Sequence, residues 1–124
     1  MSVLVDSDIL IEVSRGRDAD IIARWVELSG SDMAVLCSPV SVAELWAGAR
    51  PAEHKTLGDL FAALTCVPMD VETGRLAGDY LRIYGKSHSV ELGDALIAAS
   101  AVVSGATLWT RNRKHYPMKD LSLF

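Results

Sequence analysis

Val3-Leu4-Val5-Asp6-Ser7-Asp8-Ile9-Leu10 decides the fold of this chain. An apolar run of strand length stops on an aspartate, and a helix-spaced apolar pattern follows at once. A strand that ends on an acid and turns straight into a helix fits a parallel α/β sheet. In such a sheet the carboxyl ends of the strands share one crevice, so side chains distant in sequence can converge there. Three other places repeat the arrangement. Glu44 lies just beyond the strand-like Met33-Ala34-Val35-Leu36-Cys37, Asp94 opens the apolar helix pattern Ala95-Leu96-Ile97-Ala98-Ala99, and Asn112 follows Thr107-Leu108-Trp109-Thr110.

Strand-length and helix-period runs alternate along the whole chain. Strand one is read as Ser2–Asp6, followed by a helix to about Ser14 that the Ser14–Asp18 stretch breaks. A second helix covers about Ala19–Leu28, and strand two follows the Ser29-Gly30-Ser31 loop. Pro39 suits a helix first turn, which makes Ser38 the cap and carries the helix to about Ala49, before Pro51. An amphipathic helix is expected over Ala52–Leu64, with Leu57, Leu60, Phe61 and Leu64 on one face. A short strand, Thr65–Pro68, comes next. Asp70 then caps a helix to about Tyr84, in which Gly74 and Gly78 suggest close approach to a neighbour. Gly85–Ser89 reads as a loop. The Asp94 helix ends at Gly105, a left-handed cap, and the tail adds a short strand at Leu121–Leu123.

The 124 residues are expected to form one domain with a substantial core. No apolar run reaches the ~20 residues of a membrane span, and the N-terminus lacks the cationic start and cleavage site of a secretory leader. The expected location is the cytoplasm, with Cys37 and Cys66 as buried free thiols. The net charge is −4, which by itself argues against a nucleic-acid partner. Asp6, Asp8, Glu44 and Asp94 account for all of it, so the acidity can be local to one site.

Each acid has a structural explanation of its own. Asp6 and Asp8 suit a helix N-cap and first turn. Ser41-Val42-Ala43-Glu44 has the form of a capping box, although the earlier start at Pro39 moves Glu44 into the second turn. Asp94 favours a positive helix N-terminus, and Glu91, three residues earlier, is expected to be solvated. The combination is more specific. Two carboxylates about 4 Å apart repel by roughly 4 kcal/mol at an effective dielectric near 20, so converging acids either raise their pKa values or hold a cation. An all-oxygen ligand set selects Mg²⁺ or Mn²⁺ over zinc.

The segments Val3–Leu10, Val42-Ala43-Glu44-Leu45-Trp46-Ala47-Gly48, Asp94–Ala99 and Thr110-Arg111-Asn112-Arg113-Lys114-His115-Tyr116-Pro117 together resemble PIN-domain ribonucleases, specifically the VapC-type toxins of toxin–antitoxin pairs. The resemblance spans nearly the whole chain. It implies a three-layer α/β/α fold with a central, mainly parallel sheet of four to five strands. It implies metal-dependent hydrolysis of RNA, leaving 5′-phosphate and 3′-hydroxyl ends, with Asp6, Glu44 and Asp94 as the acidic metal-site residues and Asp8 and Asn112 assisting. It also implies a homodimer and a VapB-like antitoxin. Asn112 departs from the family, which often has a fourth acid there. An amide offers a carbonyl oxygen or holds a metal-bound water, without a full charge.

An acidic pocket repels RNA, so flanking cations are required. Arg111, Arg113, Lys114 and His115 beside Asn112, with Arg15 and Arg17 on the opposite side, are the candidates for phosphate guidance. Core packing is the expected fate of Trp46, Leu57 and Phe61. Two other readings stay open: a non-catalytic PIN-like module that binds RNA or protein, and a phosphatase of the haloacid dehalogenase type. The second shares Asp-x-Asp after its first strand, but this chain has Ile9-Leu10 where that chemistry needs small and hydroxyl residues.

Overall fold

A computed structural model describing residues 1–124 has six α-helices around a four-stranded parallel sheet. The elements run β1 (Ser2–Val5), α1 (Ser7–Arg15), α2 (Ala19–Ser29), β2 (Ala34–Cys37), α3 (Pro39–Ala47), α4 (His54–Ala62), β3 (Thr65–Cys66), α5 (Val71–Tyr84), α6 (Leu92–Ser104) and β4 (Thr107–Trp109). Strand order is β3-β2-β1-β4. The expected fifth strand is a single parallel bridge, Leu108 to Leu123.

Period-two alternation sorts the strand residues onto two cores. Val3, Val5, Cys37 and Trp109 face Ile9 and Leu10 of α1, Ile21 and Leu28 of α2, Leu45 of α3 and Leu57 of α4. Leu4, Leu36 and Leu108 face the other way, onto Ala77 and Tyr80 of α5 and the apolar side of α6. Strands β1, β2 and β4 are covered on both faces, as a parallel sheet requires, while the short edge strand β3 stays exposed. Leu4 pairs with Leu36 and with Leu108. Counting two residues on from those pairs aligns Asp6, Ser38 and Thr110 at the carboxyl edge of the sheet.

Local chemistry sets the boundaries. Ser38 caps α3 by accepting from the Ser41 N–H, and Pro39 fills the first turn. Gly16 and Gly105 end α1 and α6 in the left-handed region, at φ 64° and 72°, where a side chain is disfavoured. α3 stops at Ala47, two residues early, and a single 3₁₀ turn at Pro51–Glu53 precedes α4. α6 begins at Leu92 with Glu91 as its cap, which places Asp94 in the first turn rather than at the start. Glu91 itself is exposed.

Three expectations are corrected. A Cβ at Gly74 or Gly78 would meet nothing within 4 Å, so α5 packs through Ala77 and Tyr80 and its glycines face outward. Cys37 is buried but Cys66 is exposed, because β3 is a two-residue edge strand. Trp46 is 38% exposed and meets His54 at a tilt of 54°, with ring centroids 4.9 Å apart. Leu57 is buried and Phe61 half-buried, as expected.

Candidate metal centre and active site

Asp6 caps α1 at the end of the central strand β1, its Oδ1 accepting from the Ser7 N–H at 2.7 Å. Its Oδ2 accepts from the Thr110 hydroxyl at 2.8 Å and the Tyr116 hydroxyl at 3.0 Å. Burial, and then the neighbouring charge of Asp8, push its pKa up to about 6. Asp8, in the first turn of α1, accepts the Arg111 N–H on Oδ2 at 3.0 Å. Thr110 Oγ1 stands 3.4 Å from the same oxygen. Burial raises the Asp8 pKa as well.

Glu44 reaches the crevice from α3. Its Oε1 lies 2.7 Å from the Ser7 hydroxyl, which is 2.8 Å from the Ser41 hydroxyl. A carboxylate only accepts and Ser7 has one hydroxyl hydrogen, so Ser41 donates to Ser7 and Ser7 to Glu44. The capping-box alternative for Ser41 and Glu44 is thereby excluded. Glu44 Oε2 points to the start of α6, close enough that a Cβ on Gly93 would lie 3.8 Å from it. Asp94, the next residue, accepts the Glu91 N–H on Oδ2 at 3.1 Å, so the capping box sits here. The same oxygen faces His115 Nδ1 at 3.3 Å.

Asp6 and Asp8 thus share Thr110, Asp6 and Glu44 share Ser7, and Asp94 adjoins the Gly93 that Glu44 approaches, so the four acids border one crevice. They do not close on a point: no three acidic, histidine or cysteine side chains stand together as a ready-made metal cluster. The fit to a cation lies in the oxygens that remain. Asp8 Oδ1 is buried without any partner. Asp94 Oδ1 and Glu44 Oε2 take no protein donor, since the bonds of both residues go to the other oxygen. Asp6 Oδ1 accepts only the Ser7 N–H. Asp8, Glu44 and Asp94 therefore commit one oxygen to the protein and keep the other free, while Asp6 uses both and keeps spare acceptor capacity on Oδ1. Mg²⁺ keeps several of its waters, so it suits carboxylates that are near but not touching.

Asn112 is half-buried, and its backbone N–H donates to Thr110 Oγ1 at 3.0 Å. The cations divide. Arg111 pairs with Glu12 and Asp18, Arg17 with Glu12, and Arg113 donates to the Phe124 carbonyl. His115 belongs to Asp94 rather than to an open basic surface. Lys114 is exposed and makes no ion pair, and Arg15 shares a narrow cleft with Glu44.

Ser7, Ser41, Thr110 and Tyr116 were not among the expected site residues. Thr110 carried one signal: counted from the strand ends, it is the β4 counterpart of Asp6. Tyr116 carried none, because an aromatic six residues past a strand reads as core.

A model of the PIN domain family matches residues 3–121, and the chain belongs to that family. Two relatives sharpen its place there. Ribonuclease VapC10 of Mycobacterium tuberculosis is 42% identical over 118 residues, covering 94% of this chain and 86% of its own length. Ribonuclease VapC19 of the same organism is 33% identical over 116 residues, covering 93% and 92%. Solved structures share the fold. VapBC2 of Rickettsia felis, bound to a promoter DNA fragment, superposes with a TM-score of 0.84 at 20% identity, over 100% of this chain and 98% of that one. VapBC-1 of nontypeable Haemophilus influenzae gives 0.81 at 21%, over 100% and 97%.

Proposed function

We propose that this chain is a VapC-type toxin, an endoribonuclease that hydrolyses RNA phosphodiesters with Mg²⁺ or Mn²⁺ in the cytoplasm. The observation that carries the reading is the acid crevice at the carboxyl edge of the sheet. Four carboxylates border it, each with unfilled acceptor capacity, on a chain 42% identical to a ribonuclease. A bound Mg²⁺ or Mn²⁺ would acidify a water, polarise the phosphoryl oxygens and offset charge on the leaving oxygen.

The chain's own residues supply the rest. Asp6, Asp94 and Glu44 would hold the ion directly or through its waters, and Asp8 would add its orphaned oxygen. Ser7 and Ser41 keep Glu44 turned inward, and Thr110 and Tyr116 do the same for Asp6. Asn112 steadies Thr110 through its backbone N–H and has a side-chain carbonyl for a water. Lys114 and Arg15 are the freest cations to guide phosphates, with Arg111, Arg113 and His115 at the rim. A partner antitoxin and a second copy of this chain complete the reading, supported by the VapC relatives and the toxin–antitoxin architecture of the fold neighbours. Trp46, exposed on the Glu44 helix, is available for such a contact.

Mapping RNA 5′ ends after incubation with the purified chain tests this. Cleavage should require Mg²⁺ or Mn²⁺, stop with chelator, and fall by about two to three orders of magnitude in Asp94→Asn. Cleavage that survives both treatments would overturn the mechanism. RNA bound but never cut, whatever the metal, would favour a non-catalytic module.

A further inference from the structure

We propose that Tyr116 fixes how Asp6 meets a cation: with Thr110 it fills Oδ2, leaves Oδ1 as the single ligand atom, and so favours Mg²⁺ or Mn²⁺ over Ca²⁺. The inference rests on the metal-dependent reading above and assigns Tyr116 as a positioning residue of that site.

A carboxylate oxygen has two in-plane acceptor positions. On Asp6 Oδ2 both are taken, by Thr110 Oγ1 at 2.8 Å and Tyr116 Oη at 3.0 Å. On Oδ1 one is taken, by the Ser7 N–H. Neither hydroxyl is free to leave. Tyr116 is 4% exposed and its ring packs in the core with Leu108 and Met118. Thr110 receives the Asn112 N–H at 3.0 Å, so its single hydrogen is directed away from that N–H, to the nearer carboxylate at 2.8 Å rather than to Asp8 at 3.4 Å. Asp6 is 6% exposed and cannot turn to offer its other edge.

The consequence is a one-oxygen ligand in a fixed orientation. Mg²⁺ demands octahedral geometry from singly bound oxygens, whereas Ca²⁺ takes more ligands and commonly grips a carboxylate through both oxygens. Removing the Tyr116 hydroxyl would open one position on Oδ2 and let Asp6 bind through two oxygens. The larger ion gains from that and the smaller one does not.

Calorimetric titration of the whole chain with Mn²⁺ and with Ca²⁺ tests the idea without using activity. Tyr116→Phe should tighten Ca²⁺ relative to Mn²⁺ by about tenfold, the scale of one ligand interaction. Thr110→Val opens the other position on that oxygen and should leave the ratio unchanged, because a chelated ion uses only the position on the edge shared with Oδ1; a shift in Thr110→Val instead of Tyr116→Phe would overturn the assignment of Tyr116. Tyr80→Phe is the control: it removes a tyrosine–aspartate bond of 2.7 Å to Asp120, which is none of the four crevice acids, and should leave the ratio unchanged. A Ca²⁺/Mn²⁺ ratio that stays put in folded Tyr116→Phe would overturn the assignment of Tyr116 alone. A wild-type chain that binds neither ion would overturn the metal-dependent reading and this inference with it.

Discussion

Asp6 and Asp70 hold the same post on two helices, α1 and α5. Asp6 caps α1 through the Ser7 N–H, and Asp70 caps α5 through the N–H and hydroxyl of Thr73. Their electrostatics are opposite. Asp70 is open to solvent, and the Thr73 bonds hold its carboxyl below the usual range. Asp6 is buried beside Asp8, and those two influences outweigh the donors around it and push it up to about 6. Capping alone stabilises a carboxylate. Capping inside a crevice that already holds another acid stores unfavourable charge, and a cation relieves it.

The largest effect that should separate the two is on cleavage. Asp6→Asn keeps a side-chain oxygen for the cap but loses the charge, and RNA cleavage should drop by at least about a hundredfold. Asp70→Asn should leave the rate unchanged. Equal losses in the two variants, measured by the same 5′-end assay, would mean that the cap at Asp6 is no different from any other.

A second, smaller contrast concerns pH in metal-free protein. The folded value for Asp6 lies above its ordinary 3.8, so folding favours the protonated form. Its ionisation lowers stability as pH rises from about 4 through about 6, on the order of 3 kcal/mol in all. Asp70 is depressed, so its contribution is present above its unfolded value and disappears as pH falls through the folded one. Urea midpoints between about pH 3 and pH 8 resolve both limbs. Asp6→Asn should flatten the upper limb and Asp70→Asn the acid one. Saturating Mn²⁺ should also remove the upper limb in the wild type, because the ion stabilises the ionised form.

The finest test uses hydroxyls of the two first turns. Thr73 directs its hydroxyl to its own cap, whereas Ser7 sends its hydroxyl to Glu44. Ser7→Ala should slow turnover by about tenfold, one hydrogen bond's worth of positioning. Thr73→Val should cost stability and leave turnover alone. If Ser7→Ala lowered only the unfolding midpoint, the Ser41–Ser7–Glu44 relay would be structural.

Much of this architecture was legible in advance, and the reasons are local. Val3-Leu4-Val5, Leu36-Cys37 and Leu108-Trp109 alternate between two buried faces, so their apolar runs identify parallel strands. Pro39 marked Ser38 as the cap, and Gly105 marked the end of α6. Asp6 stood out because it directly follows a buried strand, whereas Glu44 and Asp94 lie on helices and stood out through the resemblance of their segments. Thr110 and Tyr116 did not, since a hydroxyl is cheap anywhere and only the tertiary register brings these two to Asp6. Cys66 and Trp46 were misjudged for a related reason: apolar character indicates a preference for burial, and an edge strand or a short helix end does not supply enough neighbours.

The contacts that complete the crevice join the end of the first strand and the helix after it to the last fifteen residues of the chain. Asp6 meets Thr110 across 104 positions and Tyr116 across 110, and Asp8 meets Arg111 across 103. Pairings this remote come late in folding, after the entropy of closing so long a loop has been overcome. On the ribosome, a growing polypeptide cannot close the pocket around Asp6 until Tyr116 has been added and has emerged.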